Sequence, residues 1–120
     1  MSSLNPKKLF EEIAEKVNSS SEGRRLMKEW VGPYDGKIIQ FESDTEKFYL
    51  VVTDGRMKVH DGEYPSPDLT FRGTSQMISE VFTGKRSVGE AMKSWDLLLM
   101  GAGHEGFILG RLITTVLLEV

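Results

Sequence analysis

The chain has 120 residues and a formal net charge of −3, with acidic and basic side chains interspersed. This length predicts a single domain over residues 1–120, and the charge balance lacks the basic surface that nucleic-acid binding requires. The chain has no cysteine, which excludes disulfides, thiolate zinc sites and iron–sulfur clusters. No apolar run approaches the roughly 20 residues that span a bilayer. The first residues lack the apolar core of a secretory signal, so we expect a cytoplasmic location.

Two amphipathic helices are predicted at the start of the chain. Asn5 precedes Pro6, which is typical of a helix N-terminus, and a single apolar stripe follows. Ser19 and Glu22 have the spacing of a capping box and predict the start of a second helix. Gly32 is expected to end that helix.

The hydrophobic period changes to two in the next part of the chain, which is typical of strands with one buried face. Asp54 and Gly55 favour a type I′ hairpin, so the first three strands are expected to form an antiparallel meander. Four strands are predicted here, at Lys37–Glu42, Lys47–Thr53, Arg56–His60 and Leu69–Arg72.

Two short helices and a fifth strand are predicted next. Thr74 or Ser75 is expected to cap the first helix, and Gly84 to end it in the left-handed conformation. Ser87 begins a capping box for the second helix. The run Leu97–Met100 is wholly apolar and predicts a strand that is buried on both faces.

The last predicted helix runs from about His104 to Val120 and has only a narrow polar strip. A helix that is apolar around most of its circumference must be covered on two sides. One side of the helix is expected to pack on the core of the domain. The other side could be covered by more of that core, by an oligomer partner, by a membrane surface or by a bound apolar ligand, and the sequence leaves these alternatives open.

The segment Gly101–Gly106 has the pattern G-x-G-x-x-G between a strand and a helix. We do not interpret it as a dinucleotide site, because no second parallel strand follows it. Its glycines predict a tight turn, and an anionic headgroup at the helix N-terminus is the alternative. His60 and His104 lie in different elements, and His104 and Glu105 are adjacent, so their side chains should diverge on a helix. We therefore expect no metal, no cofactor and no catalytic residue.

A series of motif residues follows in order between Pro67 and Gly101: Pro67, Asp68, Thr70, Gly84, Ala91, Met92, Leu97, Leu99 and Gly101. This order resembles the sterol carrier protein 2 family. With the Asp54–Gly55 hairpin and the following helix, the resemblance covers the chain from about Gly36 onward. The family usually has a glycine and a basic residue before the last strand, where this chain has Trp95 and Asp96.

The resemblance implies an α+β fold, in which about five helices cover a twisted, mostly antiparallel five-stranded sheet. It also implies a non-catalytic domain that binds and transfers an apolar lipid in an internal tunnel, with a fatty acid, a fatty acyl-CoA or a sterol-like molecule as ligand. The residues expected to line this tunnel are those of the enclosing elements: Phe82, Met92, Trp95, Leu97, Leu99, Phe107, Ile108, Leu112 and Val116.

Other functions stay open beside this one. The chain could be an interaction module that forms a homodimer through its C-terminal helix, where Gly106 and Gly110 would permit close approach. It could also be a small enzyme, or the accessory domain of a lipid-metabolising enzyme, that uses His104 and Glu105. The basic side of the second helix is interpreted as a solvated face, and transient contact with a membrane surface is the alternative. Its residues are Arg24, Arg25 and Lys28.

Overall fold

The fold is α+β, and the predicted helices and strands are confirmed in a computed structural model, which describes residues 5–117. The strand bounds differ from the predicted ones by at most one residue. Val120, the predicted end of the last helix, lies outside the described residues. The elements are α1 (Pro6–Ser19), α2 (Ser21–Val31), β1 (Lys37–Glu42), β2 (Lys47–Thr53), β3 (Arg56–Asp61), β4 (Leu69–Gly73), α3 (Ser75–Phe82), α4 (Val88–Lys93), β5 (Leu97–Gly101) and α5 (His104–Leu117).

The five strands form one mixed sheet in the order β3-β2-β1-β4-β5. The predicted meander is confirmed, since β2 pairs antiparallel with both β1 and β3. Asp54 and Gly55 join β2 to β3 with φ values of 53° and 69°, as a type I′ turn requires. The single parallel pair is β1 with β4, while β4 and β5 are antiparallel.

A cluster of phenylalanine rings forms the centre of the core. Phe48, Phe41 and Phe71 are cross-strand neighbours on β2, β1 and β4, and their rings stack with centroids 4.9 and 5.2 Å apart. Phe10 of α1 and Phe82 of α3 pack on the Phe41 ring from the helical layer, at 4.6 and 5.6 Å. All five side chains are buried, so large rigid rings fill the space between the sheet and these two helices.

The first two helices meet without a linker, and this moves the predicted cap by one residue. Ser20, not Ser19, is the N-cap of α2, and its hydroxyl accepts a hydrogen bond from the Gly23 N–H at 3.0 Å. Ser19 still belongs to α1, where its hydroxyl donates to the Glu15 carbonyl. Ser20 is the one residue between the two helices, and its backbone is extended, with φ −93° and ψ 128°.

The prediction that Leu97–Met100 is buried on both faces is wrong. Strand β5 lies at the edge of the sheet, and the helices cover only one of its faces. Leu97 is buried, whereas Leu98 and Met100, which point to the other face, are 37% and 39% exposed. An apolar run of this length is compatible with a central or an edge position, and the pattern alone does not distinguish them.

Helix α5 has one buried side and one uncovered side. Leu109, Leu112, Ile113 and Val116 pack into the core, while Phe107 on the opposite side is 76% exposed. Among residues 5–117, no helix is both long and apolar enough to cross a membrane.

Candidate functional site

A largely apolar concave surface lies between α3 and α5, next to the start of α4. This α3–α5 cleft has a volume of about 290 Å³ and is open to solvent on one side. That volume is at the lower end of the range of about 300–1,000 Å³ that is usual for small-molecule sites. Its lining residues are Val81, Phe82, Thr83, Gly84, Val88, Gly106, Gly110, Ile113, Thr114 and Leu117.

Two glycines of α5 shape the cleft in different ways. At Gly106 a Cβ atom would lie only 3.1 Å from the Phe71 ring and 3.2 Å from Leu69, so this glycine permits α5 to approach the sheet closely. At Gly110, one turn later, a Cβ atom would meet no other atom within 4 Å. The missing side chain at Gly110 therefore leaves part of the cleft empty.

The other wall of the cleft is the C-terminal end of α3. Gly84 has φ 83° and follows the C-cap residue Thr83, which confirms the predicted left-handed end. The Thr83 hydroxyl donates to the Ser79 carbonyl at 2.7 Å. The Ser79 hydroxyl itself is buried and has no hydrogen-bond partner among the described residues. Helix α3 therefore ends at the border of the cleft, and the Phe82 side chain forms part of the cleft wall.

A buried carboxylate fixes the N-terminal end of α5. Glu105 is only 4% exposed and accepts hydrogen bonds from the Trp30 indole N–H of α2 and from Lys37 Nζ of β1, the latter at 3.1 Å. Burial alone would raise the pKa of Glu105, but hydrogen bonds from Trp30 and Lys37 and the charge of Lys37 together lower it below its ordinary value. The ionised Glu105 carboxylate therefore joins α5 to α2 and to β1.

The expectation that the His104 and Glu105 side chains diverge is wrong. His104 Nε2 lies 3.1 Å from Glu105 Oε2, although the imidazole is largely exposed. His104 is the first residue of α5, so no preceding helical turn prevents its side chain from folding back toward the carboxylate. Both carboxylate oxygens already have hydrogen-bond partners in Trp30 and Lys37, which favours a structural role for the pair.

A second, more polar groove lies on the other side of α5, against α2. It has a volume of about 220 Å³. Ile108 and Leu112 of α5 line it together with Leu26, Glu29, Trp30 and Arg111.

The nine residues predicted to line a tunnel lie in several different places. Phe82 lines the α3–α5 cleft, and Ile108 and Leu112 line the groove against α2. Trp95 is 80% exposed and borders a shallow depression at the edge of the sheet, beside Arg72. Leu97 and Val116 are in the core, Leu99 packs against it, and Met92 and Phe107 are exposed.

None of the five residues with which α5 lines the cleft was predicted from the sequence to contact a ligand. Gly106, Gly110, Ile113 and Leu117 all face the cleft and recur at i, i+4, i+7 and i+11. This spacing places them along one stripe of a helix, so a search for small and apolar residues on a common face would have found them. Across residues 5–117, no cluster of three or more His, Asp or Glu side chains is arranged to hold a metal ion.

Comparisons with known proteins agree with this architecture. The model of the SCP-2 sterol transfer family matches residues 10–102. A comparison with curated protein sequences gave no match. Among solved structures, a UbiJ-SCP2 ubiquinone synthesis protein is similar with a TM-score of 0.70 and 13% identity, over 90% of this chain and 95% of that one.

Two sterol carrier protein structures are similar as well. Apo sterol carrier protein 2 from Yarrowia lipolytica has a TM-score of 0.65 and 14% identity, over 90% of this chain and 88% of that one. Palmitated SCP2L2 from Aedes aegypti has a TM-score of 0.54 and 23% identity, over 87% and 89% of the two chains. At these identities the structural likeness establishes a shared fold.

Proposed function

Because this chain belongs to the SCP-2 sterol transfer family, we propose that it binds an apolar lipid and transfers it without covalent chemistry. The observation that carries this proposal is the α3–α5 cleft, whose walls are apolar and whose floor contains the empty position at Gly110. The ligand classes that we propose are a fatty acid, a fatty acyl-CoA and a sterol-like molecule.

An acyl chain is the ligand that the cleft favours among these classes. Phe82, Ile113 and Leu117 offer apolar contacts along a narrow space between two helices. Each methylene that leaves water contributes about 0.8 kcal/mol. About ten methylenes would contribute roughly 8 kcal/mol, before the costs of association and chain ordering are subtracted. The fold relative from Aedes aegypti is described as palmitated, which is consistent with this choice.

The polar end of the ligand would lie at the open side of the cleft. Thr83 and Thr114 line this region, and both side chains are exposed. The Thr114 hydroxyl group can donate a hydrogen bond to a carboxylate or an ester carbonyl, whereas the Thr83 hydroxyl already donates to the Ser79 carbonyl. The other residues that we predicted for the tunnel play different parts in this proposal. Leu97 and Val116 support the wall from the core, whereas Met92 and Trp95 lie outside the cleft.

A pair of glycine substitutions tests the proposed site. Gly110→Leu places a side chain in the empty part of the cleft, and we expect it to weaken the binding of a fluorescent fatty acid at least tenfold. Gly89→Leu is the matched control, because Gly89 is also helical and unobstructed but does not line the cleft. A folded Gly110→Leu protein that binds the probe as tightly as the unmodified chain would contradict the assignment.

Analysis of the purified protein tests the function itself. Native mass spectrometry followed by organic extraction should find a lipid bound in a one-to-one complex, and its mass would identify the class. If no lipid copurifies and neither a fatty acid nor a sterol probe binds, the lipid-transfer proposal is refuted.

A further inference from the structure

The two edges of the sheet differ in how they are protected against pairing with another strand. At the β3 edge, the Asn18 side-chain amide donates to the Met57 carbonyl at 2.9 Å and accepts from the Met57 N–H at 2.8 Å. It therefore occupies the place that a neighbouring strand would take. Arg56, Lys58 and Asp61 add exposed charges to the same strand. Charged residues and covered backbone groups are common protections of an edge strand.

The β5 edge has neither protection. Its sequence from Leu97 to Gly101 contains no charged residue and no proline. The strand pairs with β4 on one side, and in the described part of the chain no backbone hydrogen bond joins its other side to a further segment. Leu98 and Met100 present half-exposed apolar side chains on the uncovered face. Unpaired backbone groups of this kind are complementary to another extended strand.

We propose that β5 pairs with β5 of a second copy of this chain, so that two sheets join across a two-fold axis. Antiparallel pairing of identical strands is isologous, because each copy contributes the same surface. With the axis at Leu99, Leu98 of each copy lies opposite Met100 of the other. The four half-exposed side chains then form one apolar row, and no like charges face each other within the strands.

Trp95 adds apolar surface beside this edge. It lies in the turn before β5 with φ 63°, a conformation that is costly for a bulky side chain. Its indole is 80% exposed and borders the same depression as Leu98. A second copy paired through β5 would cover part of this apolar surface.

The strength of this contact follows from its size. One five-residue strand pair with two flanking indoles belongs to the small class of protein interfaces. The dimer should therefore be weak and should form at micromolar or higher protein concentration.

Sedimentation velocity over a range of concentrations tests the proposal. We expect the unmodified chain to shift from monomer to dimer, and the Leu98→Lys, Met100→Lys double variant to remain monomeric, because like charges would then lie opposite each other. Both substitutions lie on an uncovered face, so circular dichroism should confirm an unchanged fold. The control is Phe107→Lys, which adds a charge at a more exposed apolar residue of α5 and should still form the dimer.

A chain that stays monomeric at every concentration overturns the proposal. So does a dimer that survives in the double variant but is lost in Phe107→Lys, since the interface would then lie on α5.

Cysteine crosslinking tests the register separately, because the natural chain has no cysteine. Leu99→Cys should form an intermolecular disulfide under mild oxidation, whereas Phe107→Cys should not. Disulfide formation by Phe107→Cys alone would refute pairing through β5.

Discussion

Replacing Glu105 by glutamine should strongly destabilise the protein. The glutamine side chain has the same shape and can still accept the Trp30 N–H, but it leaves the Lys37 ammonium without its counter-ion. The side chains of Lys37 and Glu105 are only 14% and 5% exposed, so solvent can replace little of the lost attraction. Removing one partner of a buried ion pair typically costs about 3–5 kcal/mol, a large part of the total stability of a domain of this size.

The assay is urea unfolding at pH 7, repeated at decreasing pH. Since the pKa of Glu105 is lowered in the folded state, the unfolded chain binds this proton more readily, and the stabilisation is fully present above the ordinary value of 4.5. It is lost as the pH falls through the lower pKa of the folded state. The Glu105→Gln variant should lack this part of the pH dependence.

A surface ion pair provides the control. Glu63 contacts Lys47 at 2.7 Å, but both side chains are about half exposed, so Glu63→Gln should leave the unfolding midpoint almost unchanged. If Glu105→Gln is as stable as the unmodified protein and its free energy of unfolding depends on pH in the same way, the buried ion pair between Glu105 and Lys37 does not stabilise the fold as we infer.

Four further substitutions follow from local packing, and urea unfolding measures each of them. Gly110→Ala should stabilise the protein by about 0.5–1 kcal/mol through helix propensity, whereas Gly106→Ala should destabilise it by about 1 kcal/mol, because the new methyl group meets the buried Phe71 ring; equal effects at the two glycines would contradict this. Ser79→Ala should be neutral or stabilising by up to about 1 kcal/mol, since it removes a buried hydroxyl that lacks a partner, and a clear loss of stability would indicate a partner for that hydroxyl. Asn18→Ala should cost about 1–3 kcal/mol by leaving backbone groups of β3 unpaired, and it should increase aggregation measured by light scattering; a variant without either change would show that the amide does not protect that edge.

Local chemistry made most of the fold predictable. The type I′ turn at Asp54–Gly55 can be predicted without knowledge of tertiary contacts, because few residue pairs tolerate the positive φ that this turn needs at both positions. In β3, which follows this turn, Met57 and Val59 alternate with Arg56, Lys58 and His60, and this pattern predicts one buried face. Asn5, Thr74 and Ser87 cap their helices as expected, since each accepts a hydrogen bond from the first turn.

The order of the strands and the position of the cleft could not be predicted in this way. Leu97–Met100 has the composition of a central strand, and only its pairing with β4 alone reveals an edge. The cleft depends on how far α5 is rotated about its axis, which decides whether Gly110 or Phe107 faces α3. That rotation is set by long-range contacts such as the one between Glu105 and Lys37, which are 68 residues apart.

The phenylalanine cluster has a consequence for how the protein unfolds. Its rings come from α1, β1, β2, β4 and α3, so contacts between Phe10 and Phe82 close a loop over more than half of the chain. No one of these elements can detach without exposing rings that belong to the others. The sheet and the two helices should therefore melt together as one cooperative unit, and calorimetry should give a single transition whose calorimetric and van't Hoff enthalpies agree.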